Sequence, residues 1–88
     1  MIYGLYSIRD VKTGFMTPVM EANDDSAARN FYHAVQNSDG ILFTFAQDFT
    51  LYKVAEFDSA TGEIIPVSPI AHVADGSAAA AAFRKGEA

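Results

Sequence analysis

The chain has 88 residues, half of them hydrophobic, with six Lys and Arg against eleven Asp and Glu, a formal net charge of −5 and no cysteine. Such a length supports one small domain that buries about 60–65% of its unfolded surface, and the acidic balance argues against collection on polyanions by bulk charge. The lack of cysteine excludes disulfides, zinc–thiolate sites and thiol catalysis. No stretch approaches the ~18 apolar residues of a membrane helix, and the N-terminal sequence lacks the basic start and long apolar run of a signal peptide.

In chain order, "MIYGLYSIRD" is rich in Ile, Tyr and Leu and predicts a first strand. "GFMTPVMEA" predicts a second, with Pro18 at an edge or a bulge because it cannot donate to a ladder. The link between them, Asp10 to Gly14, reads Asp-x-x-Thr-Gly, and the same spacing returns at Asp58 to Gly62. An Asp can bond backbone N–H groups two residues on, and a closing Gly supplies a positive φ. The repeat therefore predicts two hairpins with one turn chemistry. It lacks the glycine density of a phosphate cradle.

"NDDSAARNFYHAVQNSDG" predicts a helix capped by Asn23 or Asp24, with Asp24 and Asp25 at the positive end of its dipole. Ala27, Phe31, Ala34 and Val35 form one stripe able to pack on a sheet, Asp25 and Arg29 stand at a pairing distance of four residues, and Gly40 is a candidate left-handed cap. "ILFTFAQDF" has mixed periodicity and reads as a core-filling connection with room for a short strand. "LYKVAEFD" and "GEIIPV" predict the second hairpin. The final segment has eight alanines between residues 71 and 88, and a flexible tail is expected because a lone helix of about ten residues is marginal in water. The expected fold is α+β: a small antiparallel sheet of two hairpins with one helix packed on it (β-β-α-β-β), a domain of residues 1–70 and a tail of residues 71–88. With its alanines concentrated in that tail, the chain needs most of its seven Phe inside, or a partner chain. A homodimer is expected.

No catalytic constellation emerges. His33 and His72 have no metal-pair spacing, Asp24 and Asp25 are accounted for by capping, and Asp10 and Asp58 by turns. Asp48, Glu56 and Glu63 have no required meeting point, and nucleophile-elbow, Walker and Rossmann signatures are absent. The chain is expected to be no enzyme and to use no cofactor. Binding of single-stranded nucleic acid fits better, since it combines stacking aromatics with a few cations. The candidates are Tyr3, Tyr6, Tyr32 and Tyr52 as stackers beside Arg9, Lys12, Arg29 and Lys53. Tyrosine is favoured over phenylalanine because its hydroxyl tolerates water. Tyr52 and Lys53 are strand neighbours, so they face opposite ways. The bland alternative makes these tyrosines half-buried sheet residues. Phe83 beside Arg84 and Lys85 is a second candidate, a docking peptide in the tail.

At "MIYGLYSIRDVKTGFMTPV", "ARNFYHAV", "NSDGILFTFAQDFTLYKVAEFD" and "TGEIIPV", over about residues 1 to 67, the chain resembles the small non-structural protein of gokushoviruses, microviruses with single-stranded DNA genomes. The resemblance implies a non-virion accessory factor in the cytoplasm of a bacterial host, tied to single-strand genome synthesis or packaging. It carries no catalytic residues over. The rival expectation is a protein-interaction module that regulates the replication initiator, assists capsid filling or engages a host factor. The net charge of −5 favours that rival.

Overall fold

The computed structural model describes residues 1–87, with side chains described as far as Ala82. Strand β1 (Ile2–Asp10) is the centre of the fold. On one side it pairs antiparallel with two short strands, β2 (Gly14–Phe15) and β3 (Val19–Glu21), and on the other with β4 (Phe49–Asp58). Strand β5 (Ile64–Asp75) continues antiparallel along β4 and forms the far edge. The fold is thus α+β on a small antiparallel sheet, and both hairpins form. The expected second strand is split, because Pro18 sits between β2 and β3 and cannot donate to β1.

The two Asp-x-x-Thr-Gly segments fold as predicted. Asp10 Oδ1 accepts from the Lys12 N–H at 2.9 Å, and Asp58 Oδ1 accepts from the Ala60 N–H at 2.9 Å. Gly14 and Gly62 take φ of 100° and 78°, which an L side chain rarely tolerates. The turns do not form a joint rim. Because Ile2 pairs with Asp58 and Asp10 with Phe49, they occupy opposite ends of the sheet.

Helix α1 (Asp24–Gln36) begins with a capping box, in which the Asn23 side chain accepts from the Ser26 N–H at 2.8 Å. It buries Ala27, Phe31 and Val35 against Tyr6, Phe49, Leu51 and Ala74 of the sheet. It ends at Asn37, and Gly40 instead precedes α2 (Ile41–Thr44) with a negative φ of −111°. Gly40 is therefore not a left-handed cap. The segment expected as a connection or strand is α2 followed by a single 3-10 turn, Ala46–Asp48. Among the described residues the contacts of ion-pair geometry are Lys53–Glu56 and His72–Asp75, the latter charged on both sides only with a protonated ring, so the expected Asp25–Arg29 pair does not form.

The C-terminal segment departs most from expectation. Residues 71–75 belong to β5, and α3 (Gly76–Glu87) follows directly, so neither the boundary at residue 70 nor a flexible tail matches the described structure. Ala79 is fully buried and Ala80 nearly so. Their small side chains let α3 approach α1, whose Gln36 donates from Nε2 to the Ala79 carbonyl at 3.1 Å. Tertiary packing supplies what ten isolated residues lack. Gly76 is required at the junction, since a Cβ there would collide with the Ala46 carbonyl. The side chains of Phe83, Arg84 and Lys85 lie outside the described residues.

Candidate nucleic-acid interface

All the helices that cover the sheet pack on one of its faces. Which strand residues point to the other face follows from the register, and two irregularities make the alternation depart from a simple count. Leu5 pairs with Ala55 while Tyr6 pairs with Lys53, leaving Val54 as an extra residue in β4. Ala55 pairs with Pro66 while Lys53 pairs with Ala71, so residues 67–70 bulge out of β5.

Four cross-strand rows therefore line the uncovered face. From one end they are Tyr3–Phe57–Ile64, Leu5–Ala55–Pro66, Ser7–Tyr52–His72 and Arg9–Thr50–Asp75. Met20 pairs with Leu5, and Phe15 pairs with Arg9, which extends the second and fourth rows onto β3 and β2. The two ends of this face differ in chemistry. The first two rows hold apolar side chains and the Tyr3 ring, with no charge.

The other end is aromatic and polar. Tyr52 stands between Phe15 and His72 and meets both edge-on, with ring centroids 5.9 Å and 6.1 Å away. Phe15 and His72 are about half exposed. Arg9 is exposed beside them, and Lys12 projects from the turn at the same end. One carboxylate, Asp75, shares these rows. It accepts from Thr50 Oγ1 at 3.5 Å and lies 3.0 Å from His72 Nε2. Ser7 is buried beneath this end and donates from Oγ to the Met16 carbonyl at 2.6 Å, which ties the β2–β3 connection to β1.

The structure divides the eight residues singled out from sequence. Tyr3, Tyr52 and Arg9 share the open face, and Lys12 borders it. Tyr6 lies on the covered face at 1% exposure and donates from Oη to Asp24 at 2.6 Å. Burial first, then that hydrogen bond and the nearby carboxylates of Asp24, Glu21 and Glu56, push its phenol above the ordinary value. No ring face of Tyr6 is available to a base. Lys53 also points to the covered side, where Nζ meets Glu56 at 3.2 Å. Arg29 and Tyr32 lie on α1, where they line a shallow cleft with Asp25, Ala28, Val73 and Ala74. They cannot act with Arg9 on one surface.

Sequence reasoning missed Phe15, Phe57 and His72. A preference for tyrosine over phenylalanine set two of them aside, and assignment to a tail removed the third. The turn itself carried a usable signal for Phe15: if Asp10 pairs with Gly14, the next pair outward is Arg9 with Phe15.

Most other carboxylates lie away from the open face. Glu21, Glu56 and Asp58 are on the covered side by register, and Asp24 and Asp25 open α1. Among the described residues no cluster of three His, Asp or Glu could hold a metal ion, and no helix is long and apolar enough to cross a membrane.

Fold and face together define a small α+β domain that presents one bare antiparallel sheet surface. The chain belongs to the family described as Phage ORF5 protein, which it matches over residues 3–79. No curated protein matches it, and no solved structure does.

Proposed function

We propose that this phage protein is a gokushovirus non-structural accessory factor that binds single-stranded DNA in the host cytoplasm, during genome replication or packaging. The observation that carries the reading is the Phe15–Tyr52–His72 aromatic cluster, set beside Arg9 on the face with the fewest carboxylates and bordered by Lys12. Exposed rings on an open sheet can stack on unpaired bases, each contributing about 1–3 kcal/mol. Two cations can hold neighbouring phosphates and make the affinity fall with salt. Duplex DNA hides its base faces, so the site discriminates against it. The chemistry is binding alone, without an enzymatic step or a cofactor.

The test is fluorescence anisotropy of a labelled single-stranded oligonucleotide across a salt titration, with the duplex alongside. Arg9→Glu with Lys12→Glu is expected to weaken binding at least about tenfold and to flatten the salt slope. Tyr52→Ala should weaken binding about five- to a hundredfold with less change in that slope. Lys53→Glu, on the covered side, should leave affinity nearly unchanged. No binding by the wild-type protein at low salt would transfer the reading to a protein-interaction module acting on the replication initiator, the capsid or a host factor. The net charge of −5 favours that alternative.

A further inference from the structure

We infer that the apolar end of the open face, built from Tyr3, Leu5, Met20, Phe57, Ile64 and Pro66, is the interface through which two copies of this chain form a symmetric dimer. Ile64 and Met20 are 59% and 50% exposed, far more than a sheet face packed on its own core would leave. Of the described phenylalanines only Phe31 and Phe49 are buried, and half of the ten-residue core cluster is alanine. Large apolar side chains that a chain of this size needs inside therefore remain on its surface, Ile64 and Met20 of this patch among them.

The sheet edges are poor alternatives. One consists of β2 and β3, of two and three residues, interrupted at Pro18. The other, β5, contains Pro66 and Pro69 and departs from regular register at residues 67–70 and at Val73. Short strands, prolines and bulges are the devices that blunt an edge against pairing. Those devices act on backbone pairing at an edge and leave side-chain packing across a face unhindered.

A second copy is the occupant that the charge distribution favours. Across a two-fold axis each side of an interface meets its own chemistry, so a net charge would face itself. In a chain of net charge −5, this end of the face holds no ionisable group except the Tyr3 phenol. The opposite side of the same strands carries Glu21, Glu56 and Asp58 against Lys53, a net negative charge that would repel its copy. The area is also adequate. The chain exposes 5533 Å², about 500 Å² more than the ~5,000 Å² expected of a 9.5 kDa monomer. Two copies that each cover such a surplus bury about 1,000 Å², the lower bound for a specific interface.

Two sheets stacked face to face at their apolar ends would leave the Phe15–Tyr52–His72 ends free at opposite extremes of the dimer. The dimer does not depend on the DNA reading, but it would give that reading two sites in place of one.

Sedimentation equilibrium of the full chain tests the inference. The wild-type protein is expected to be dimeric at micromolar concentrations. Ile64→Glu should raise the dimer dissociation constant at least about tenfold while circular dichroism stays unchanged. Ile65→Glu, one residue along and on the other face, should remain dimeric. Met20→Glu reads the same interface from β3 if Ile64→Glu fails to fold. A monomeric wild-type protein, a folded Ile64→Glu or Met20→Glu protein that dimerises normally, or equal dissociation by Ile65→Glu would each overturn the inference. A monomer that binds oligonucleotide would sink the dimer and leave the DNA reading standing. A dimer that binds none would do the reverse.

Discussion

Tyr6 and Tyr52 belong to adjacent strands of one sheet, and their fates are opposite. Tyr6 points under α1, is almost fully buried and gives its hydroxyl to Asp24. Tyr52 points away, is half-buried and meets Phe15 and His72 edge-on. The same contrast separates Lys53, paired to Glu56 on the covered side, from Arg9 on the open side. A strand assigns its side chains to two environments by parity alone. The covered face accordingly carries the buried core of the domain, and the open face is left free of the helices.

Substitutions can break that contrast. Phe31→Ala is expected to have the largest effect, costing about 3–5 kcal/mol in chemical denaturation, because it empties the contact between α1 and the sheet. Phe57→Ala, on the open face, should cost less than half as much in a monomeric background. A comparable loss in the wild-type background but not in the monomeric one would mean that a second copy covers the open face in solution, and would count for the dimer.

Tyr6→Phe comes next, at about 1–2 kcal/mol near neutral pH, through loss of the hydrogen bond to Asp24. Its pH dependence has a definite sign. The folded state holds the Tyr6 proton more tightly than the unfolded chain does, so the contribution is complete below the ordinary tyrosine value near 10 and declines as pH rises beyond it. The stability gap between wild type and Tyr6→Phe, measured by urea denaturation between pH 8 and about 11, should therefore narrow at the alkaline end. A gap that widens would contradict the buried placement of the phenol.

The smallest expected effects are at the turns. Asp10→Ala should cost about 1 kcal/mol, since Asp10 is buried and accepts from both the Lys12 N–H and Thr13 Oγ1. Asp58→Ala should cost less, its side chain accepting only from the Ala60 N–H among the described residues. Equal costs would mean that the two similar sequences also have similar surroundings, against the structure.

Much of the architecture was legible because it rests on local chemistry. The turn Asp and Gly residues, the Asn23 cap and the Ala27–Phe31–Val35 stripe each act within a few residues of chain, where spacing and side-chain type decide the outcome. The C-terminal helix was not legible. Its alanines have no pronounced amphipathic pattern, and it is held by contacts with α1 and the Ala46 turn, distant in sequence. The candidate site was half legible. Its residue types were recognisable, but Arg29, Tyr32, Lys53 and Tyr6 could be separated from Arg9 and Tyr52 only once register was known.

By itself the sequence determined the α+β class, both hairpin turns, the central helix and the presence of more aromatic residues than a domain of this size readily hides. Those follow from interactions that are short-range or additive along the chain. Tertiary structure alone decided which aromatics are hidden. The extra residue Val54 and the excursion at residues 67–70 reset the alternation of β4 and β5, so that Tyr52, Ala55 and Phe57 share one face while Lys53 and Glu56 share the other. A bulge is a property of two strands in register, and no inspection of one strand reveals it.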